Sequence, residues 1–132
     1  MSKIGIVGAG AWGTALAAAM IRAGNEVTIQ AHEAEVADAI NKRHENEMFF
    51  AGVALDPAIR ATAKLAEAID AEAVLLAAPA QHMRAVTEAA APDWRRGVPA
   101  VICAKGIEQG SCALMSEVVA ETVSGVPIAV LS

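Results

Sequence analysis

Three glycines near the N-terminus have a spacing that can bind phosphate: Gly8, Gly10 and Gly13, in the segment Gly-Ala-Gly-Ala-Trp-Gly. In such a turn the first glycine permits a tight bend, the second lets a pyrophosphate approach the backbone, and the third lets the following helix pack closely on the strand. The helix N-terminus also offers unpaired N–H groups and a partial positive charge to an anion. The spacing therefore predicts a dinucleotide-binding turn. A glycine-rich turn that only packs is the alternative, and a nucleoside triphosphate loop is disfavoured because no Gly-Lys-Ser/Thr follows.

The segment Gln30-Ala31-His32-Glu33 follows the second predicted strand, at the point where dinucleotide-binding domains select their cofactor. A carboxylate at this point binds the ribose 2′-hydroxyl of NAD, and a basic group accommodates the 2′-phosphate of NADP. The His32 imidazole can stack on adenine or donate to a phosphate, whereas Glu33 is expected to begin the next helix. The segment leaves both NAD and NADP open and slightly favours NADP, with a plain surface histidine as the alternative.

A lysine follows the fifth predicted strand, in the segment Ala104-Lys105-Gly106-Ile107-Glu108. Ligands of open α/β sheets bind at the carboxyl ends of the strands. The Lys105 ammonium would therefore point into a crevice, where it suits an anionic substrate or a carbonyl oxygen. A solvated loop lysine is the alternative.

Composition excludes several classes of protein. Ten Lys and Arg against fifteen Asp and Glu give a net charge of −5, so the chain is predicted to be a poor general binder of nucleic acid or of anionic membrane. The two cysteines, Cys103 and Cys112, have no metal-ligand spacing, and His44 and His82 have no partner, so no metal site is predicted. Such cysteine usage is typical of a reducing cytoplasm.

An uncharged segment at 4–21 requires that a signal peptide or membrane helix be considered. Four glycines interrupt it, and each weakens a helix by about 1 kcal/mol relative to Ala. No membrane span and no leader are therefore predicted.

The remaining pattern alternates strands with helices. Strands are predicted at 3–7, 26–30, 58–62, 73–77, 99–104 and 127–131, and helices from the glycine turn to Ala23 and at 33–43, 63–69, 81–91 and 113–123. The longest irregular segment, 44–57, is expected to be functional. Such alternation predicts one α/β domain over 1–132: a doubly wound, mostly parallel sheet of Rossmann type, with about six strands and helices on both faces.

Five segments in this order resemble the bacterial NAD(P)-dependent sn-glycerol-3-phosphate dehydrogenases. They are 8–17 (GAGAWGTALA), 46–52 (NEMFFAG), 104–108 (AKGIE), 114–118 (LMSEV) and 128–132 (IAVLS). The resemblance implies hydride transfer between a nicotinamide cofactor and dihydroxyacetone phosphate or sn-glycerol 3-phosphate. That reaction supplies the backbone of glycerophospholipids, and the full-length form is a possible homodimer.

The resemblance also implies roles for individual residues. The cofactor-binding residues would be Gly8, Gly10, Ala11, Trp12, Gly13, His32, Phe49 and Lys105, with His32 at the adenosine end and Phe49 bordering the cofactor. Lys105 would also touch the substrate. Two departures matter: Ala11 replaces a usual polar residue, so one hydrogen bond to phosphate is expected to be missing, and Ala51 replaces a common proline.

The family continues beyond 132 with a helical domain that carries the lysine used as general acid/base. The chain is therefore expected to be the cofactor domain alone, with no catalytic residue of its own and no activity by itself. Two alternatives remain: a non-catalytic dinucleotide-sensing module, and the cofactor domain of another two-domain reductase acting on ketopantoate or a sugar acid. The Lys-Gly-Ile-Glu segment argues against the second.

Overall fold

The computed structural model describes residues 1–131. Within them the strands are β1 (Lys3–Val7), β2 (Glu26–Gln30), β3 (Arg60–Thr62), β4 (Ala73–Leu76), β5 (Ala100–Ile102) and β6 (Ile128–Val130). The α-helices are α1 (Ala11–Arg22), α2 (Ala34–Arg43), α3 (Leu65–Ile69), α4 (Met83–Ala90) and α5 (Met115–Thr122). Short 3₁₀ turns at Ala80–His82 and Ala91–Asp93 flank α4.

The six strands form one parallel sheet in the order β3-β2-β1-β4-β5-β6. The chain starts in the middle, builds outward to β3, and then crosses to the other side of β1, so the order reverses between β1 and β4. This is the switch point at which open α/β sheets bind their ligands. The register pairs Val7 with Gln30 and Leu76, and Leu76 with Ile102, so the four carboxyl ends lie side by side. The predicted fold class is confirmed.

Two apolar clusters cover the two faces of this sheet. Successive side chains of a strand point to opposite faces, and Ile6 belongs to one cluster whereas Val7 belongs to the other. The first cluster includes residues of α1 and α2, and the second includes residues of α3, α4 and α5. Helices therefore lie on both faces, as the alternating pattern predicts.

The end of α1 shows why the boundaries near the N-terminus follow the sequence closely. Gly24 has φ +92°, its N–H donates to the carbonyl of Ile21, and the N–H of Asn25 donates to that of Met20. This pair of bonds is the Schellman ending, which favours glycine because of the left-handed backbone. The helix thus stops just before Gly24, and β2 begins two residues after it.

Several predicted elements are shorter in the structure. The strand predicted at 99–104 ends at Ile102. Ile102 pairs with Leu76, the last residue of β4, so the residues after Ile102 have no strand residue of β4 beside them. The helix predicted at 81–91 is α4 with a 3₁₀ turn on each side, and Pro92 lies in the second of these. None of the helices in the described part of the chain is long and apolar enough to cross a bilayer.

Candidate dinucleotide-binding site

The turn after β1 lies at the switch point of the sheet. Gly8 has φ +108°, and a Cβ added to it would lie 2.9 Å from backbone atoms of Ala77 and Ala78, which follow β4. On the other side, the Gly8 N–H donates to the carbonyl of Gln30 at the end of β2 (3.1 Å). The turn is therefore wedged between β2 and β4, and only glycine fits its first position.

The other two glycines of the turn have opposite surroundings. A Cβ on Gly13 would lie 1.9 Å from the carbonyl oxygen of Gly8, so α1 packs directly against the turn. A Cβ on Gly10 would meet nothing within 4 Å. Gly10 is also the N-cap of α1, and no side chain caps the helix there. The start of α1, from Ala11 onward, thus leaves amide groups beside open space, which suits an anion.

A buried side-chain amide that sequence reasoning did not single out ties the turn to the long loop. Asn46 is 1% exposed. Its Nδ2 donates to the carbonyl of Ala9 (2.9 Å) and to Oγ1 of Thr14 (3.0 Å), and its Oδ1 accepts from the N–H of Phe49 (3.2 Å). The only signal in the sequence was that Asn46 opens one of the five segments of the resemblance. The loop predicted at 44–57 therefore packs on the glycine turn.

Two aromatic side chains predicted to border a cofactor are largely exposed. Trp12 is 51% exposed, and its Nε1 donates to the carbonyl of Cys103 beyond β5 (3.1 Å). Phe49 is 41% exposed, and its backbone N–H is held by Asn46. The indole bond joins α1 to the segment that carries Lys105, whereas Phe49 lies on the loop that is bonded to the turn.

His32 and Lys105 lie beyond the carboxyl ends of β2 and β5, and both are exposed. Gly8 is bonded to the end of β2, and the Trp12 side chain to the segment after β5. Both residues therefore follow strands that are tied to the turn or to the first residues of α1. Among the described residues, Lys105 forms no ion pair, which leaves its ammonium free for an anion.

The loop that carries Lys105 is fixed by Gln81. Its Nε2 donates to the carbonyl of Ile107 (3.0 Å), and its Oε1 accepts from the N–H of Gln109 (2.9 Å). Gly106, between Lys105 and Ile107, has φ +134°. Residues other than glycine rarely adopt this backbone conformation. Gln81 thus bonds the loop at Ile107 and at Gln109.

An ion pair anchors the same loop to α4 and α5. Arg84 Nε and Nη2 donate to both oxygens of Glu108 at 2.8 and 2.9 Å, and Arg84 Nη1 lies 2.8 Å from Glu121. The hydrogen bonds from Arg84, and a further one from the Ser111 hydroxyl, hold the pKa of Glu108 below its ordinary value. Glu108 of the Lys-Gly-Ile-Glu segment therefore anchors the loop to α4, and its carboxylate is bonded to Arg84 and Ser111.

The ion pair predicts how stability depends on pH. Because folding lowers the pKa of Glu108, its contribution is present above the ordinary value of about 4.5 and is lost as the pH falls through the lowered pKa. We expect Glu108→Gln to melt below the wild type at pH 7, with the difference between the two melting temperatures shrinking as the pH falls below about 4.5. Glu88→Gln on α4 is the control, since Glu88 is exposed and outside the ion pairs of the described residues. A constant difference between wild type and Glu108→Gln from pH 7 to 3 would contradict this.

Cys103 is buried, and burial raises the pKa of its thiol. A protonated thiol is a poor nucleophile and a poor metal ligand. Its backbone carbonyl, by contrast, accepts the Trp12 bond.

Comparison with known proteins assigns the family. The family model for the N-terminus of NAD-dependent glycerol-3-phosphate dehydrogenase matches residues 3–132. The chain is 58% identical over its whole length to a glycerol-3-phosphate dehydrogenase (NAD(P)+) of Paramagnetospirillum magneticum, of which it spans 48%. It is 55% identical over 98% of its length to one of Caulobacter vibrioides, of which it spans 39%.

A solved structure gives the same result. Glycerol-3-phosphate dehydrogenase from Coxiella burnetii matches 98% of the chain with a TM-score of 0.89 and 28% identity, and the match covers 40% of that protein. The chain thus spans two fifths to a half of the length of these relatives. The chain belongs to the family of N-terminal domains of NAD-dependent glycerol-3-phosphate dehydrogenases.

Proposed function

We propose that this chain binds NAD(H) or NADP(H) and is the cofactor domain, over residues 1–132, of a glycerol-3-phosphate dehydrogenase. The observation that carries the proposal is the open space at Gly10, at the head of α1 and at the switch point of the sheet. A Cβ there would occupy the space that a diphosphate needs, whereas the neighbouring glycines are closed in by the protein itself. The printed name of the relatives, which pairs glycerol 3-phosphate with NAD(P)+, supports the choice of ligand.

The roles of the residues follow from their places around the turn. The amides of Gly10 and of the following residue Ala11 hold the diphosphate, and His32 lies at the adenosine end. Trp12 and Phe49 border the cofactor with their exposed rings. When bound, the cofactor supplies or accepts the hydride at nicotinamide C4.

Lys105 is the residue of this chain that we propose to touch the substrate. Its ammonium, which forms no ion pair among residues 1–131, either holds the phosphate of dihydroxyacetone phosphate or stabilises negative charge that develops on the C2 oxygen. Gln81 and the Arg84–Glu108 pair keep its loop in place. The proton for that oxygen must come from a general acid outside this chain, and we assign none of its residues to that step.

The proposal extends to the cellular context. Both cysteines are free, which is typical of a reducing compartment, so we place the protein in the cytoplasm. There it would form the sn-glycerol 3-phosphate from which glycerophospholipids are built, as a homodimer in its full-length form. Nucleic acid is not among the proposed partners, in keeping with the net charge of −5.

Titration of the chain with NADH and NADPH tests the proposal. We expect saturable binding of both by calorimetry, with quenching of the exposed Trp12, and NADPH bound at least as tightly as NADH. Dihydroxyacetone phosphate should produce no oxidation of either cofactor, because we assign the general acid to a residue outside this chain. Absence of binding would overturn the cofactor assignment. Turnover by this chain would show that the proposed placement of the general acid outside it is wrong.

A further inference from the structure

The direction of an amide in the glycine turn depends on the carbonyl in front of it. In a trans peptide the C=O of one residue and the N–H of the next point in opposite directions. The described chain contains no cis peptide bond. Whatever holds the carbonyl of Ala9 therefore sets the direction of the Gly10 N–H, and whatever holds the carbonyl of Gly10 sets that of the Ala11 N–H.

Both carbonyls are held from the protein side by buried side chains. Asn46 Nδ2 donates to the carbonyl of Ala9 (2.9 Å). Thr14 donates twice to the carbonyl of Gly10, through Oγ1 (2.8 Å) and through its backbone N–H (3.0 Å). Because both carbonyls are bonded from the buried side, the amides of Gly10 and Ala11 are directed the opposite way, away from Asn46 and Thr14. A Cβ on Gly10 would also meet nothing within 4 Å, so there is open space at this turn.

The two side chains form one network. Asn46 Nδ2 also donates to Oγ1 of Thr14 (3.0 Å), so the threonine hydroxyl accepts from Asn46 while it donates to Gly10. Each of the two residues is 1% exposed. Hydrogen bonds shielded from water in this way are directional and polarise one another, so the network restrains the peptide planes more than an exposed pair would.

We infer that Asn46 and Thr14 are positioning residues that orient the Gly10 and Ala11 amides toward the diphosphate of the cofactor. The inference rests on the proposed function, because it assigns a purpose to amides that the cofactor would use. Neither side chain touches the ligand; each acts through a carbonyl of the turn. Ala11 has no polar side chain to contribute, which increases the importance of amide direction.

A purely structural role would be different in one respect. Asn46 also accepts from the Phe49 N–H, so its loss loosens the long loop as well as the turn. A looser loop would lower the affinity for every ligand that the loop borders. Misdirected amides would lower the affinity only for ligands that carry the diphosphate. The reason is that the charge-assisted hydrogen bonds to the diphosphate need the amides to point at it.

The test compares two ligands on four variants of this chain. Asn46→Ala and Thr14→Val remove the network, and Thr14→Ser keeps the hydroxyl. Asn41→Ala is the matched control, since Asn41 also bonds backbone groups with its amide, those of Ala61, away from the turn. The ligands are NADH and adenosine, which lacks the diphosphate, and binding is followed through backbone amide resonances by ¹⁵N NMR. The dispersion of each spectrum reports whether the variant is folded.

In the wild type, the Gly10 and Ala11 resonances should shift most with NADH. Asn46→Ala and Thr14→Val should bind NADH at least about ten-fold more weakly with adenosine affinity within two-fold of the wild type. Thr14→Ser and Asn41→Ala should bind both ligands as the wild type does. Should Asn46→Ala fail to fold, Thr14→Val against Thr14→Ser decides alone.

Equal losses for NADH and adenosine, or unchanged NADH affinity in Thr14→Val, would overturn the inference while the proposed function stands. A wild-type chain that binds no NADH would overturn the proposed function, and the inference with it.

Discussion

Gly13→Ala is expected to destabilise the folded chain by about 3 kcal/mol or more, near the upper end of what overpacking costs. The added methyl carbon would lie 1.9 Å from the carbonyl oxygen of Gly8 and 3.0 Å from its carbonyl carbon. Both atoms belong to backbone that is wedged between β2 and β4, so neither can rotate aside as a side chain would. Relief requires α1 to move away from the sheet, and Leu16 and Ala17 of α1 belong to the first apolar cluster.

Urea unfolding followed by circular dichroism measures this loss. Domains of this size are stable by about 5–15 kcal/mol, so the Gly13→Ala midpoint should fall clearly or the chain should fail to fold. Gly10→Ala is the control from the same turn, because it adds the same methyl group where no atom lies within 4 Å. Equal midpoints for wild type and Gly13→Ala would contradict the packing of α1 on the turn.

The steric part of the turn could be predicted from sequence because it depends on neighbouring residues. A strand, a Gly-x-Gly-x-x-Gly turn and a helix restrict one another over a short stretch of chain. For the same reason β1 and β2 have the predicted bounds, and α1 ends before Gly24. The alternation of strands and helices then leaves few topologies, since parallel crossovers are right-handed.

The restraints on the site could not be predicted, because they join residues distant in sequence. Asn46 is 37 positions from Ala9, and Glu108 is 24 from Arg84. Apart from its place at the start of one resembling segment, nothing in the local sequence distinguishes Asn46 from a loop asparagine. Nothing there distinguishes Arg84 from a solvated helix arginine. Only the folded sheet, which brings the long loop onto the turn, gives these side chains their partners.

The cofactor and substrate roles of individual residues depend on a different kind of information. Position along the chain and the family resemblance predict the roles of His32, Phe49 and Lys105. The structure places His32 and Lys105 beyond strand ends that are bonded to the turn or to α1. Exposure of all three is compatible with a ligand and equally with solvent. Their roles therefore stay predictions, which the titrations with NADH and NADPH address.

Gly10→Ala is expected to fold normally and to bind NADH roughly 10- to 100-fold more weakly, the equivalent of about 1–3 kcal/mol of steric conflict. Gly10 has φ −72°, which alanine adopts freely, and the exchange at a helix N-cap costs only about 1 kcal/mol or less. The methyl group would stand where the diphosphate comes closest to the backbone, so it opposes binding without opposing folding.

Calorimetric titration with NADH, together with a melting curve of the free protein, separates these two effects. The two glycine variants should then differ in which property they lose: Gly13→Ala loses stability, and Gly10→Ala loses affinity for NADH. NADH affinity within two-fold of the wild type in Gly10→Ala would mean that the ligand does not approach this backbone. The open space beside α1 would then have to be explained without a diphosphate, although the packing of α1 on the turn would be unaffected.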